Sequence, residues 1–262
     1  MRYFLAFVLC LLLIPSNLFG LTSNTHYADL EDSSSQYFSI TDASQTGLDL
    51  STTSTICLWV NFENRQNEEK FVSKMLGTGN QRSFSFSAPL TNTLQWEIYG
   101  NGGFSTEVYT ASVTWASSNG TWYFLCMSQN GTSVKFYVNG TQQGTTQTMG
   151  GSAIFNGTAA FEIGGVSAFT AYMDGQIDDV RVWTRVLSDG DISSLHSDPC
   201  NFANGANLVG HWVFDNNAND SSGSGNNLTN NNAATFVAVT SAPYTCAAGS
   251  VSTTPPGVIF FE

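Results

Sequence analysis

The stretch IDDVRVW sets two carboxylates, Asp178 and Asp179, side by side in a segment that alternates Val180 and Val182 with Arg181 and Trp183. Adjacent acids on a strand can accept hydrogen bonds from the backbone or from Arg181, or they can help hold a hard cation, which asks for several oxygen ligands. A second grouping, WEIYGNGGF, places Tyr99, Asn101 and Phe104 around a glycine loop. A sugar site needs an aromatic platform with amides or carboxylates beside it to match hydroxyls. The same residues also fit a simpler account, with Trp96 and Ile98 in a core and Phe104 anchoring a loop. Serine-triad chemistry has little support, since His26, His196 and His211 stand in unrelated contexts and no GxSxG elbow is present. His211, beside Trp212, reads as an ordinary strand residue.

The elements that must carry these groups are strands. TICLWVNFE (55–63) puts Ile56, Leu58, Val60 and Phe62 on one face and Cys57 and Trp59 on the other, so it belongs in the middle of a sheet. QYFSITD reads as another strand, and SFSFSA with LQWEIYG as a hairpin around 89–92. In WYFLCMSQNGTSVKFYVNG, Asn130 and Gly131 suit a two-residue turn of type I′. That turn sets Met127 opposite Val134, Leu125 opposite Phe136 and Tyr123 opposite Val138. The alternation in IDDVRVW continues into Ser188 and Asp191, an acidic variant of the capping box, so a short helical turn follows that strand. LVGHWVF reads as a late strand, and the Asn/Ser/Gly-rich span behind it as a long loop.

The first 20 residues have a basic start at Arg2, an apolar run from Phe4 to Ile14 and a small-residue exit. They read as a cleaved secretory signal, too short for a stable membrane anchor. The chain carries 8 basic against 20 acidic groups, a net charge of −12, and loss of the signal removes one more positive charge. A surface of that sign disfavours nucleic acid and anionic membranes as partners. Cys10 leaves with the signal. Cys57, Cys126, Cys200 and Cys246 remain, an even number with no CxxC spacing, which points to two disulfides in an oxidising compartment rather than to zinc. Asn119, Asn130, Asn139, Asn156, Asn219 and Asn227 each open an Asn-x-Ser/Thr sequon. Four of them read Asn-Gly-Thr, which tight turns also select.

Four collinear segments, SQYFSITDASQTGLDLSTTSTICLWVNFE, GTWYFLCMSQNGTSVKFYVNGTQQGT, DGQIDDVRVWTRVLSDGDI and LVGHWVFDNNANDSSGSGNNLT, resemble the laminin-G-like, concanavalin A-like jelly-roll family. The resemblance implies an all-β antiparallel sandwich occupying 21–246, with its core at 35–198, a C-terminal strand and loop at 199–246 and a linker-like tail at 247–262. In many relatives the LVxxWxFD strand opens the domain, whereas here it comes last, either closing the sandwich or starting a truncated second copy. Cys57 and Cys126 stand where pentraxins, which share the fold, have their intrachain disulfide, and Cys246 can tether the tail to Cys200.

The resemblance also bears on chemistry. Glucanases of this superfamily hold a structural calcium ion with a VDxVRVY strand, which maps onto Asp178. Asp215, in VFDNN, is the natural second ligand. Asp179 is expected on the opposite face unless a bulge intervenes. The laminarinase-like hydrolases carry a Glu-x-Asp-x-x-Glu strand that this chain lacks; Glu162 in FEIGG comes nearest but meets Gly164 where the acid is required. The pentraxin ligand cluster is likewise thin here, with Asp174 its only acid. The expectation is a secreted module without catalysis that binds glycans or serves adhesion. The alternative is a structural or assembly protein of a surface layer, filament or virion that recognises an extracellular protein, and a glycan hydrolase is the third reading.

Overall fold

The computed structural model describes residues 24–65, 68–89, 92–200, 202, 205–239 and 243–244. The segment read as a secretory signal, Cys246 and the tail at 247–262 lie outside the described residues. In chain order the strands are β1 (His26–Leu30), β2 (Tyr37–Ile40), β3 (Thr53–Phe62), β4 (Glu69–Met75), β5 (Arg82–Ala88), β6 (Thr93–Tyr99), β7 (Val108–Thr114), β8 (Trp122–Asn130) and β9 (Ser133–Val138). They continue as β10 (Thr141–Thr148), β11 (Phe161–Ile163), β12 (Gly165–Val166), β13 (Ala171–Tyr172), β14 (Gly175–Trp183), β15 (Leu208–Trp212), β16 (Thr229–Asn231) and β17 (Thr235–Ala238), with helix α1 (Asp189–Ser197) between β14 and β15.

Two antiparallel sheets face each other. The first runs β10-β9-β8-β3-β14-β1-β17, with β15 also paired to β14, and the second runs β16-β2-β11-β4-β5-β6-β7. Ile56, Leu58, Val60 and Phe62 of β3 meet Phe84, Phe86, Trp96 and Ile98 of the second sheet in the core between them. Alternation sends Cys57 and Trp59 to the other side of β3, where Phe124, Trp183 and the α1 residues Ile192 and Leu195 form a smaller core. Central placement between β8 and β14 thus accounts for a strand that is apolar on both sides. Cys57 lies directly opposite Cys126, and the two form a disulfide with Cα atoms 4.1 Å apart. Cys200 is also disulfide-bonded.

The helix starts where the sequence says it should. Ser188 Oγ accepts from Asp191 N–H at 3.1 Å while the Asp191 carboxylate accepts from Ser188 N–H at 3.0 Å, closing the capping box. The late strand β15 completes the first sheet against β14, with Trp212 buried in the core beside Phe161.

Two expectations are corrected. The β8–β9 hairpin pairs Asn130 with Ser133, Met127 with Phe136 and Leu125 with Val138, so the turn is centred on Gly131 and Thr132, not on Asn130 and Gly131. A two-residue slide leaves every side chain on its own face, so the apolar pattern cannot tell the two registers apart. The Asn-rich span is not all loop either, since β16 and β17 arise within it and each pairs with an early strand, β2 and β1 respectively.

Candidate functional site

On the outer face of the second sheet, β6 turns Leu94, Trp96 and Ile98 into the core and leaves Gln95, Glu97 and Tyr99 facing away from it. These groups join Glu68, Lys70, Phe104 and Phe169 around an open cleft of about 650 Å³. Phe104 is 70% exposed and Phe169 40% exposed. Between them lies the Arg82 guanidinium, 4.9 Å from one ring centroid and 5.2 Å from the other, which steadies both rings by cation–π attraction. On the floor, Lys70 Nζ donates to Glu68 at 2.7 Å and to Ser85 Oγ at 3.3 Å, and the Tyr99 hydroxyl donates to Glu97. Burial, then that bond to Glu97, raises the Tyr99 phenol above its ordinary range. The cleft therefore offers two aromatic faces, a carboxylamide, two carboxylates and a lysine.

Of the three residues proposed from sequence for a sugar site, Tyr99 and Phe104 come together here and Asn101 does not. Its side chain braces the loop, donating to Thr106 Oγ1 at 2.8 Å and accepting from Gly103 N–H at 2.9 Å. Phe169, from the short turn at Ser167–Phe169, and Arg82 were missed, and no spacing in the sequence links them to Phe104. A second cleft of about 670 Å³ beside α1 is a weaker candidate, because its polar groups bind one another: Asp189 accepts from Lys135 at 2.8 Å and from the Tyr137 hydroxyl at 2.7 Å.

The acid pair lies at a junction. Along one edge of β14, β1 pairs with Gly175–Ile177 and β15 with the stretch from Val180, while on the other edge the β3 register shifts between Asp178 and Arg181. The shift is a bulge, and Asp179 takes the left-handed region with φ 46°. Strict alternation therefore does not hold at this point. Asp179 pairs with Arg181 through Nε at 2.7 Å and Nη2 at 3.0 Å, and it accepts from His211 Nε2 at 2.8 Å. Arg181 also reaches the Pro199 carbonyl. All three members are nearly fully buried, so His211, on strand β15, hydrogen-bonds a buried ion pair. Burial, followed by Arg181, lowers the His211 pKa, and the bond to Asp179 acts the other way.

Asp178 is fully buried and accepts from Asn24 Nδ2 at 2.9 Å and from Asp179 N–H at 2.8 Å. Burial first, then Asp179, pushes its carboxyl well above the usual range, with Asp215 adding to the rise. Asp215 Oδ1 takes Thr25 N–H, Thr25 Oγ1 and His26 N–H at 2.6–2.9 Å. The Asn24 Oδ1 and Tyr244 hydroxyl oxygens are buried there without partners. The donor set is thus all oxygen, includes orphaned atoms and suits a hard cation.

Glu162 stands elsewhere, buried on β11, with its carboxylate accepting from Ser167 N–H and Ser167 Oγ. Burial raises its pKa and those bonds lower it. The six sequon asparagines are all exposed. Among the described residues, no helix is long and apolar enough to cross a membrane.

Residues 32–193 match the Laminin_G_3 family, described as the concanavalin A-like lectin/glucanases superfamily. No curated protein sequence matches the chain. Among solved structures, the chain is similar to a candidate carbohydrate binding protein of Bacteroides ovatus ATCC 8483, with TM-score 0.64 and 13% identity over 87% of this chain and 62% of that one. It therefore spans less than two thirds of that protein's length. It is also similar to the CBM40 of Ruminococcus gnavus IT-sialidase, with TM-score 0.53 and 16% identity over 65% of this chain and 96% of that one. The same CBM40 bound to α2,6-sialyllactose matches with TM-score 0.52 and 16% identity, again over 65% and 96%. At these identities the likeness is one of fold.

Proposed function

The chain belongs to the concanavalin A-like lectin/glucanases superfamily, and we propose that it is a secreted module that binds carbohydrate without catalysis, through the cleft on the outer face of β4–β6. The observation that carries this reading is the pair of exposed rings, Phe104 and Phe169, held on either side of Arg82 above a floor of Lys70, Gln95, Glu97 and Glu68. Exposed aromatic faces stack on the apolar side of a sugar ring, and the amide and charged groups beside them match its hydroxyls. The carbohydrate-binding names of the similar structures support the same reading. A disulfide-bonded chain fits an oxidising, extracellular destination.

The test is binding to an array of neutral and sialylated oligosaccharides, followed by calorimetry on any hit with Phe104→Ala and Phe169→Ala. Each substitution is expected to weaken binding at least tenfold while the Lys135→Ala variant, on the other face, binds normally. If no oligosaccharide binds, or the two ring variants bind as well as the wild type, the cleft is not the site. For the absence of catalysis, reducing-sugar release from β-glucans should stay at background and be unchanged by Glu162→Gln, whose carboxylate is committed to Ser167.

A structural calcium ion at Asp178 and Asp215 forms part of the same proposal, supported by the full burial of Asp178 with no cationic partner among the described residues and by the orphaned Asn24 and Tyr244 oxygens. Thermal unfolding should show a calcium-dependent rise that Asp178→Asn diminishes. In chelator, Asp178→Asn should melt at or above the wild type, because it removes a buried acid and gives Asn24 Oδ1 a donor. A lower melting temperature for Asp178→Asn in both buffers would speak for a purely hydrogen-bonded role.

A further inference from the structure

At one end of the sandwich three chain segments deliver acids to a single spot. Leu30 pairs with Gly175, and Gly175 with Phe62. The residues one step beyond these partners, Glu31, Asp174 and Glu63, are therefore neighbours although they are far apart in sequence. One carboxylate oxygen from each lies within 4.8 Å of the other two. With calcium–oxygen distances of 2.3–2.6 Å, oxygens on opposite sides of one ion are about 4.6–5.2 Å apart and adjacent ones closer, so three oxygens this near one another can share one ion. The Glu63 N–H donates to the Asp174 carbonyl at 3.1 Å, which ties two of the segments together.

An independent observation comes from the opposite sheet. Glu69, the first residue of β4, is 1% exposed, and its Oε2 accepts the Asp174 N–H at 3.2 Å. Its Oε1 is buried without any partner. The base acting on this carboxyl is Arg65, whose guanidinium is engaged by Ser117 Oγ at 2.9 Å and by the Pro89 carbonyl. Around the same spot, Glu63 Oε1 accepts from Gln176 Nε2 at 2.6 Å, while Asp29 Oδ1 is a second buried oxygen without a partner. Glu69 thus holds the Asp174 backbone with one oxygen and leaves the other buried and open, which costs free energy that a nearby cation would offset.

We propose that this rim binds one divalent cation of the calcium class, ligated by Glu31, Glu63 and Asp174, with Glu69 as the buried counter-charge beneath Asp174. The ion clamps the ends of β1, β3 and β14 in the first sheet to the start of β4 in the second. It uses none of the residues of the Asp178 junction and does not depend on the cleft binding sugar.

The test is calorimetric titration of the chelator-stripped chain with calcium chloride, and with magnesium chloride for contrast, together with thermal unfolding in calcium and in chelator. The wild type, the Glu63→Gln/Asp174→Asn double variant, Glu69→Gln and Asp178→Asn are compared. The wild type should bind calcium and melt higher with it, since an ion that binds only the folded state stabilises by linkage. The double variant should lose the binding heat of this rim, Glu69→Gln should weaken it at least tenfold, and Asp178→Asn should retain it. In chelator the double variant should melt at or above the wild type, because repulsion has been removed. That separates lost binding from lost folding. A wild type with no calcium heat, a double variant that binds like the wild type, or calcium binding abolished by Asp178→Asn alone would each overturn the proposal.

Discussion

The outer face of the first sheet and the outer face of the second are built on opposite plans. On the first, Cys57, Trp59, Phe124 and Trp183 point away from the main core and are covered by Ile192 and Leu195 of α1 and by Tyr244. On the second, Lys70, Gln95 and Glu97 stand beside Ser85 and Ser87 and line an open cleft. The covered face buries its charges in closed networks, of which Asp179 with Arg181 and His211 is the clearest. The open face keeps its rings and charged groups within reach of a ligand. A strand that is apolar on both sides is thereby committed to structure, whereas a strand that alternates leaves one row of side chains free for recognition.

Substitutions should divide along the same line. The largest effect is expected from Asp179→Ala, which strands the Arg181 guanidinium in a buried site; loss of one partner from such a pair costs about 3–5 kcal/mol, readable by urea unfolding. A loss below about 1 kcal/mol would mean that the covered face is less tightly closed than its burial indicates. At the rim between the faces, Glu69 makes stability depend on pH. Its folded pKa, about 8, lies above the ordinary 4.5, so the folded state holds a proton that the unfolded chain releases. The favourable contribution is present below the unfolded value and is lost as pH rises toward 8, with a slope of at most about 1.4 kcal/mol per pH unit. In chelator, Glu69→Gln should flatten that decline, and an unchanged profile would contradict it.

Smaller effects sharpen the contrast. Ser188→Ala removes the cap of the helix that covers the first sheet and should cost about 1 kcal/mol by the same unfolding assay. Phe104→Ala, on the open face, should change stability by less than about 0.5 kcal/mol, because the ring is 70% exposed, while oligosaccharide binding falls. Equal destabilisation by these two changes would erase the distinction between the faces.

Much of the fold was legible in the chain. The two-sided apolar run of β3, the Ser188–Asp191 box and the Trp212 strand follow from side-chain type and spacing alone, because period-two alternation and capping are local physics. Tyr99 and Phe104, named together from the sequence, do line one cleft, Tyr99 buried in its floor and Phe104 exposed at its rim. The hairpin register was not legible, since two registers two residues apart present identical faces to the core. Nor was the orientation of Asp179, which depends on a bulge where β14 passes from one edge partner, β1, to the next, β15.

Sequence by itself therefore determined which residues could be strands, which side of each strand meets the core, and where the one described helix begins. Tertiary structure decided which distant residues share a place: Phe169 and Arg82 with Phe104 at the cleft, and Glu31, Glu63, Glu69 and Asp174 at the rim. The physical reason is that alternation and capping act over a few residues and are written in order along the chain, whereas these groupings arise only when sheet pairing brings together segments separated by tens of residues.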